Sequence, residues 1–134
     1  MQAVDTNVLV RYLTRDDEAQ ALQAKRLLES DDIFISKTVL LELQWVLRSL
    51  YDQSPKTCHE LLLRLARARN VSLEDPQAVG DALEWFGRGM DFADALHLAA
   101  SLGTQGLCTF DKRLAKHASR IGAGVVIVLP GGKN

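Results

Sequence analysis

The sequence predicts an α/β fold built on a mostly parallel sheet, and three observations carry that reading. Short runs that are apolar at nearly every position, such as "IFIS" at 33–36 and "VVIVL" at 125–129, read as strands buried on both faces. Longer stretches with apolar residues at three- and four-residue spacing lie between them, the pattern of amphipathic helices. Because the two kinds alternate, successive strands are joined through helices, which gives parallel pairing with both faces of the sheet covered.

The elements follow in order. "AV" at 3–4 is a short strand that ends in the acid Asp5, and "IFIS" is the next. Val39, Leu40, Leu43, Val46, Leu47 and Leu50 form a helical stripe. "SPKT" at 54–57 starts another helix with Pro55 in its first turn, where the missing N–H costs nothing, and Cys58, Leu61, Leu62 and Leu65 give its apolar face. "NVSL" at 70–73 is one more short strand, and "EDPQ" at 74–77 opens a helix carrying Val79, Ala82, Leu83 and Phe86. A further stripe runs through Phe92, Ala95, Leu96 and Ala99. "LGTQG" and "RIGAG" are helix ends with glycine available for left-handed caps, and "LCTF" at 107–110 and "VVIVL" complete the strands.

With 134 residues the chain fits a single domain, 1–134, that buries roughly two thirds of its unfolded surface. Its 47% hydrophobic and 25% charged residues are those of an ordinary globular protein. Cys58 and Cys108 are far apart and outside any CxxC spacing, which points to reduced thiols rather than a disulfide or a zinc site. The amino terminus has no basic region followed by an apolar run, and no stretch has the length to span a membrane, so a cytoplasmic protein is expected. A net charge of −1 excludes nucleic-acid coating through bulk positive charge but leaves room for a local basic rim.

In open sheets of this kind, ligands bind beyond the carboxyl ends of the strands. Asp5 and Asp111 each directly follow a strand and belong to that rim. Glu42 falls on or beside the apolar stripe of its helix and is expected to face inward. Asp91 and Asp94, three residues apart at a helix start, share a face of the first turn.

Each acid also has an ordinary structural use. Asp5, Asp91 and Asp111 suit helix N-caps, Asp94 can complete a capping box with Asp91, and Arg48 or Lys37 can pair with Glu42. Such uses account for the acids singly. They leave unexplained a convergence on one rim, where two carboxylates about 4 Å apart repel by roughly 4 kcal/mol at an effective dielectric near 20. A divalent cation turns that repulsion into binding, and oxygen-only ligation suits Mg²⁺ or Mn²⁺ better than zinc.

These acids and their surroundings resemble the PIN-domain family, specifically VapC-type toxins of toxin–antitoxin pairs. "VDTNVLVRYL" is similar to the family's opening strand and acid, "SKTVLLELQWVLRSLY" to its helix with an internal glutamate, "DFADALHLAAS" to its third acid, and "LCTFDKRL" to a strand followed by the fourth. The resemblance spans nearly the whole chain with order and spacing kept. It implies a three-layer α/β/α fold with a central five-stranded sheet and a homodimer. It also implies Mg²⁺- or Mn²⁺-dependent cleavage of RNA and inhibition by a cognate VapB-type antitoxin.

On that resemblance Asp5, Glu42, Asp94 and Asp111 take the catalytic positions. Asp5 and Asp94 hold the principal metal, Asp91 is a cap or outer group, and Thr6, Asn7 and Thr109 orient carboxylates or water, as metal sites commonly need, with turn-shaping alone the equal alternative for Thr6 and Asn7. Hydrolysis on this scheme leaves a 5′-phosphate and a 3′-hydroxyl. Arg11, Arg15, Lys37, Lys112, Arg113 and Lys116 are the cations nearest the rim in sequence and the candidates for phosphate contact. His97, three residues beyond Asp94, either approaches the pocket or, as the commoner case, packs beside core leucines, and Trp45 and Trp85 are placed in the core or an interface. "LLLRLARAR" and the Trp45 helix are either core or a groove for an antitoxin helix.

Two rivals differ in class. A phosphoacceptor receiver-type signalling domain shares the length, the sheet and acids at strand ends, with Lys133 after "VVIVLPGG", but lacks paired acids after its first strand. A non-catalytic α/β binding module reduces the acids to caps. A dehalogenase-type phosphatase requires an acid two residues after Asp5, where this chain has Asn7.

Overall fold

A computed structural model describes residues 1–131, so Lys133 lies outside the described residues. They fall into two compact units, one running from Met1 to Pro76 and one beginning at Gln77.

The first unit contains β1 (Gln2–Ala3), α1 (Thr6–Thr14), α2 (Glu18–Ser30), β2 (Ile33–Ile35), α3 (Lys37–Ser49), α4 (Pro55–Ala66) and β3 (Val71–Leu73). Its strands pair in the order β1-β2-β3, all parallel, with Ala3 beside Phe34 and Ile35 beside Leu73. Ile33 and Ile35 point into the core on either side of half-buried Phe34. The expected strand at "NVSL" is β3. Helix α1 packs on α2 and α3, and α4 packs on α3 and β3. Leu9, Leu43, Leu47 and Leu62 are fully enclosed, each contributing about 1.5–3 kcal/mol relative to an exposed side chain.

The second unit contains α5 (Pro76–Gly87), α6 (Phe92–Ala100), β4 (Leu107–Thr109), α7 (Lys112–Ile121) and β5 (Val126–Val128). Strands β4 and β5 pair in parallel, with Cys108 opposite Ile127. Trp85, Phe86 and Phe92 are buried here, and the two phenylalanine rings meet at 5.4 Å between centroids in a tilted arrangement.

All five predicted strands are present, in ladders of three and two rather than as one hydrogen-bonded sheet. The strands are two or three residues long, so each ladder is closed by few hydrogen bonds and depends on the helices packed against it.

The punctuation read from sequence has its expected geometry. Ser54 Oγ accepts from the Thr57 N–H with Pro55 as the first helical residue, and Gly122 ends α7 at φ 66°, a left-handed conformation that glycine adopts without steric cost. Cys58 is buried, and burial pushes its thiol up, whereas Cys108 is exposed; both are free thiols. No helix among the described residues is long and apolar enough to cross a membrane.

Candidate active site

The predicted acids are divided between the units. Asp5 and Glu42 belong to the first, Asp91, Asp94 and Asp111 to the second.

In the first unit, Asp5 caps α1 from extended backbone at the carboxyl end of β1, its Oδ1 accepting from the Thr6 N–H at 2.8 Å. One carboxylate oxygen is thereby fixed to the backbone while the residue stays exposed. Thr6 is buried, and its hydroxyl donates to Glu42 Oε1 in a short hydrogen bond. That bond ties the first turn of α1 to the second turn of α3. Asn7 is exposed, one residue further along α1.

The orientation of Glu42 corrects the expectation that it faces inward. The buried stripe of α3 is Leu40, Leu43, Gln44 and Leu47, whereas Glu42 is exposed on the same face as Thr38 and Trp45. At 100° per residue, Glu42 sits about 200° from Leu40, on the far side of the stripe. The stripe's rim residues, Val39 and Val46, are only partly buried, which is why the pattern misled. Of the two places expected for the tryptophans, core or interface, Trp85 takes the core, whereas Trp45 is 59% exposed and lies outside it. Neither Arg48 nor Lys37 pairs with Glu42: Lys37 Nζ lies 3.2 Å from Asp75, and its N–H donates to Glu74.

In the second unit, Asp91 caps α6 by accepting from the Asp94 N–H at 3.1 Å. Among the described residues, Asp94 makes no return bond, so the pair is a simple cap and not a capping box. Asp111 caps α7, its Oδ1 accepting from the N–H groups of Arg113 at 2.9 Å and Leu114 at 3.3 Å, and its own N–H donates to Thr109 Oγ1 at 3.0 Å. Thr109 therefore shapes the turn that presents Asp111.

Asp94 is the electrostatically perturbed acid of this unit. Burial pushes its carboxyl above the ordinary range, and repulsion from Asp91 and then Asp111 pushes it the same way, with His97 and His117 opposing. Capping uses one oxygen each of Asp91 and Asp111, which leaves both charges in place. The influence of His117 was not legible in sequence, because it arises only where α7 and α6 bring it toward Asp94.

Among the described residues, no group of three or more His, Cys, Asp or Glu side chains is arranged to hold a metal ion. The donors that are present suit a hard divalent cation in kind: all are carboxylate oxygens, and Asp94 carries repulsion that a cation would relieve.

Of the cations named from sequence, Arg11 Nε donates to Gln20 at 2.7 Å and its Nη1 to Asp16 at 3.3 Å. Arg15 closes α1 in a left-handed conformation, and Lys112, Arg113 and Lys116 are exposed at the start of α7. A cavity of about 390 Å³ lies beside α1, lined by Asn7, Val8, Arg11, Gln20, Gln23, Ala24 and Leu27. It was not anticipated, since it exists only where α1 and α2 meet.

A family model described as the PIN domain matches residues 3–119. No curated protein and no solved structure matches the chain.

Proposed function

The chain belongs to the PIN domain family, and from that premise we propose that it is a divalent-metal-dependent endoribonuclease acting as the toxin of a VapBC-type pair. PIN domains are in general metal-dependent nucleases, and the nuclease-type chemistry follows from membership. The toxin role, the VapB-type antitoxin, the homodimer and the cytoplasmic location are the finer parts of the proposal, motivated by the sequence resemblance.

The observation that carries the reading is the raised carboxyl of Asp94 beside Asp91 and Asp111. Burial first, and then repulsion from Asp91 and Asp111, raise this half-buried carboxyl, and such perturbed acids cluster at functional sites. A protein that binds a cation gains a site whose free form is destabilised and whose loaded form is not.

Asp5, Glu42, Asp94 and Asp111 are the residues assigned to this chemistry, with Asp5 and Asp94 as the principal holders of Mg²⁺ or Mn²⁺. When bound, such a cation supplies activation of water and stabilisation of charge on the scissile phosphate. The chain's own contribution is positioning. The Thr6 N–H fixes one oxygen of Asp5, the Thr6 hydroxyl fixes Glu42, and the α7 backbone fixes Asp111. Carboxylates held before the substrate arrives need no reorganisation when charge develops.

The test is incubation of the pure protein with a panel of structured RNAs in Mg²⁺, Mn²⁺ or EDTA, beside Asp5→Asn. Metal-dependent cutting that disappears in the variant is expected. Cutting retained by Asp5→Asn would remove the central assignment.

A further inference from the structure

We propose that the cavity between α1 and α2 is a subsite for one unpaired nucleotide of the RNA substrate, an inference that rests on the ribonuclease reading.

The cavity's position is the first argument. Asn7, Val8 and Arg11 share one face of α1, and Asn7 is only two residues beyond Asp5, so the cavity begins within the first turn after the acid that caps the helix. One helical turn is about 5.4 Å, so the α1 residues of the cavity begin within about that distance along the helix from Asp5.

Its lining is the second. Gln20, Gln23, Ala24 and Leu27 run at three- and four-residue spacing along the edge of α2, beside its buried stripe of Ala21, Ala24 and Leu28, with both glutamines exposed. Gln20 on α2 accepts from Arg11 on α1, Asn7 and Gln23 complete the polar lining, and about 390 Å³ stays open beside them. That volume is in the range of small-molecule sites. Carboxamides present both donors and acceptors, the groups that read the edges of splayed-out bases, while Val8, Ala24 and Leu27 offer an apolar wall.

The third is the arrangement of Arg11. Its Nε is held by Gln20 and its Nη1 by Asp16, and Asp16 is held in turn by the Tyr51 hydroxyl at 2.5 Å and the Thr14 hydroxyl at 3.1 Å. The guanidinium is therefore fixed in direction before any ligand arrives. Among the described residues its Nη2 group makes no hydrogen bond to protein, leaving donors for a phosphate or a base. No carboxylate is among the residues that line the cavity; Asp16 is paired with the lining residue Arg11.

The experiment measures binding of fluorescein-labelled homopolymeric single-stranded RNAs in EDTA, so that cleavage plays no part, and then maps cut sites in Mn²⁺. Gln23→Trp places an indole in the cavity from an exposed position, and Gln23→Ala removes one carboxamide; thermal melting checks that both fold. Gln23→Trp is expected to weaken RNA binding about tenfold, and Gln23→Ala to level the preference among the homopolymers and move the cut sites. Affinity, preference and cut sites that match the wild type in both variants would overturn the subsite and leave the nuclease standing. Wild-type protein that binds RNA through the cavity yet never cuts would uphold the subsite and sink the nuclease. Unchanged RNA affinity with loss of the antitoxin complex would overturn it in favour of a groove for a protein helix.

Discussion

The hydroxyl of Thr6 donates to the carboxylate of Glu42, joining residues 36 apart in the chain. Thr6 is buried and Glu42 exposed, so the bond reaches from the core to the surface and sets the direction of the acid. Its neighbour Asp5 is fixed through the N–H of the same Thr6. One residue thus orients two of the four assigned carboxylates.

Thr6→Val removes the hydroxyl while keeping the shape. Because Glu42 remains solvated, the stability cost should be about 1 kcal/mol, and cleavage should fall about 10- to 100-fold, as when the outer partners of metal-site residues are lost. Thr6→Ser restores the donor and should recover most of the rate. Steady-state kinetics beside urea unfolding checks both, and wild-type cleavage by Thr6→Val would show that Glu42 needs no such support.

Asp94→Asn tests the perturbed acid. A carboxyl raised in the fold gives its full stability only below its unfolded value and loses it as pH rises through the folded one, so ionised Asp94 is a cost at neutral pH. The amide removes the burial penalty on charge and the repulsion from Asp91 and Asp111. Melting temperature at neutral pH should therefore rise while cleavage disappears. A lower melting temperature would mean that Asp94 is structural.

Added Mg²⁺ or Mn²⁺ should raise the melting temperature of the wild type, with about 2.7 kcal/mol expected at a hundredfold excess over the dissociation constant. Asp5→Asn and Asp94→Asn should lose that response. A response of equal size in both variants would place the cation elsewhere.

Asp111 has two roles that substitution separates. Asp111→Ala loses the cap of α7 and should cost about 1 kcal/mol, whereas Asp111→Asn keeps an acceptor for the Arg113 and Leu114 N–H groups and should cost little. Both should lose cleavage if the charge is what matters. Full activity in Asp111→Asn would reduce Asp111 to a cap.

Asp16 gives a pH-dependent readout away from the acids. The Tyr51 hydroxyl is the largest influence and holds its carboxyl below the ordinary value of 3.8; desolvation, second in size, opposes it, and Thr14 and Arg11 add to the lowering. A lowered carboxyl stabilises the fold above 3.8 and loses that contribution as pH falls through the lower folded value. Tyr51→Phe should bring the Asp16 titration, followed by NMR, back toward 3.8 and weaken the stability difference between neutral and acid pH. An unmoved titration would show that the phenol does not hold Asp16.

The sequence by itself determined the α/β class, the five strand positions, the caps at Asp5, Asp91 and Asp111, and the family. Those features are local: a strand needs a run of apolar residues, a cap needs one acceptor at one backbone position, and a motif keeps its order along the chain. Tertiary structure decided where Glu42 points, that Trp45 is exposed, that His117 acts on Asp94, and that a cavity opens beside Arg11. A stripe read at helical spacing is wide enough to include its own edge, and only the packed neighbours say which side of that edge a residue occupies. Side-chain interactions such as Thr6 to Glu42 and His117 to Asp94 depend on how separate helices meet, and no periodicity within one helix encodes that distance.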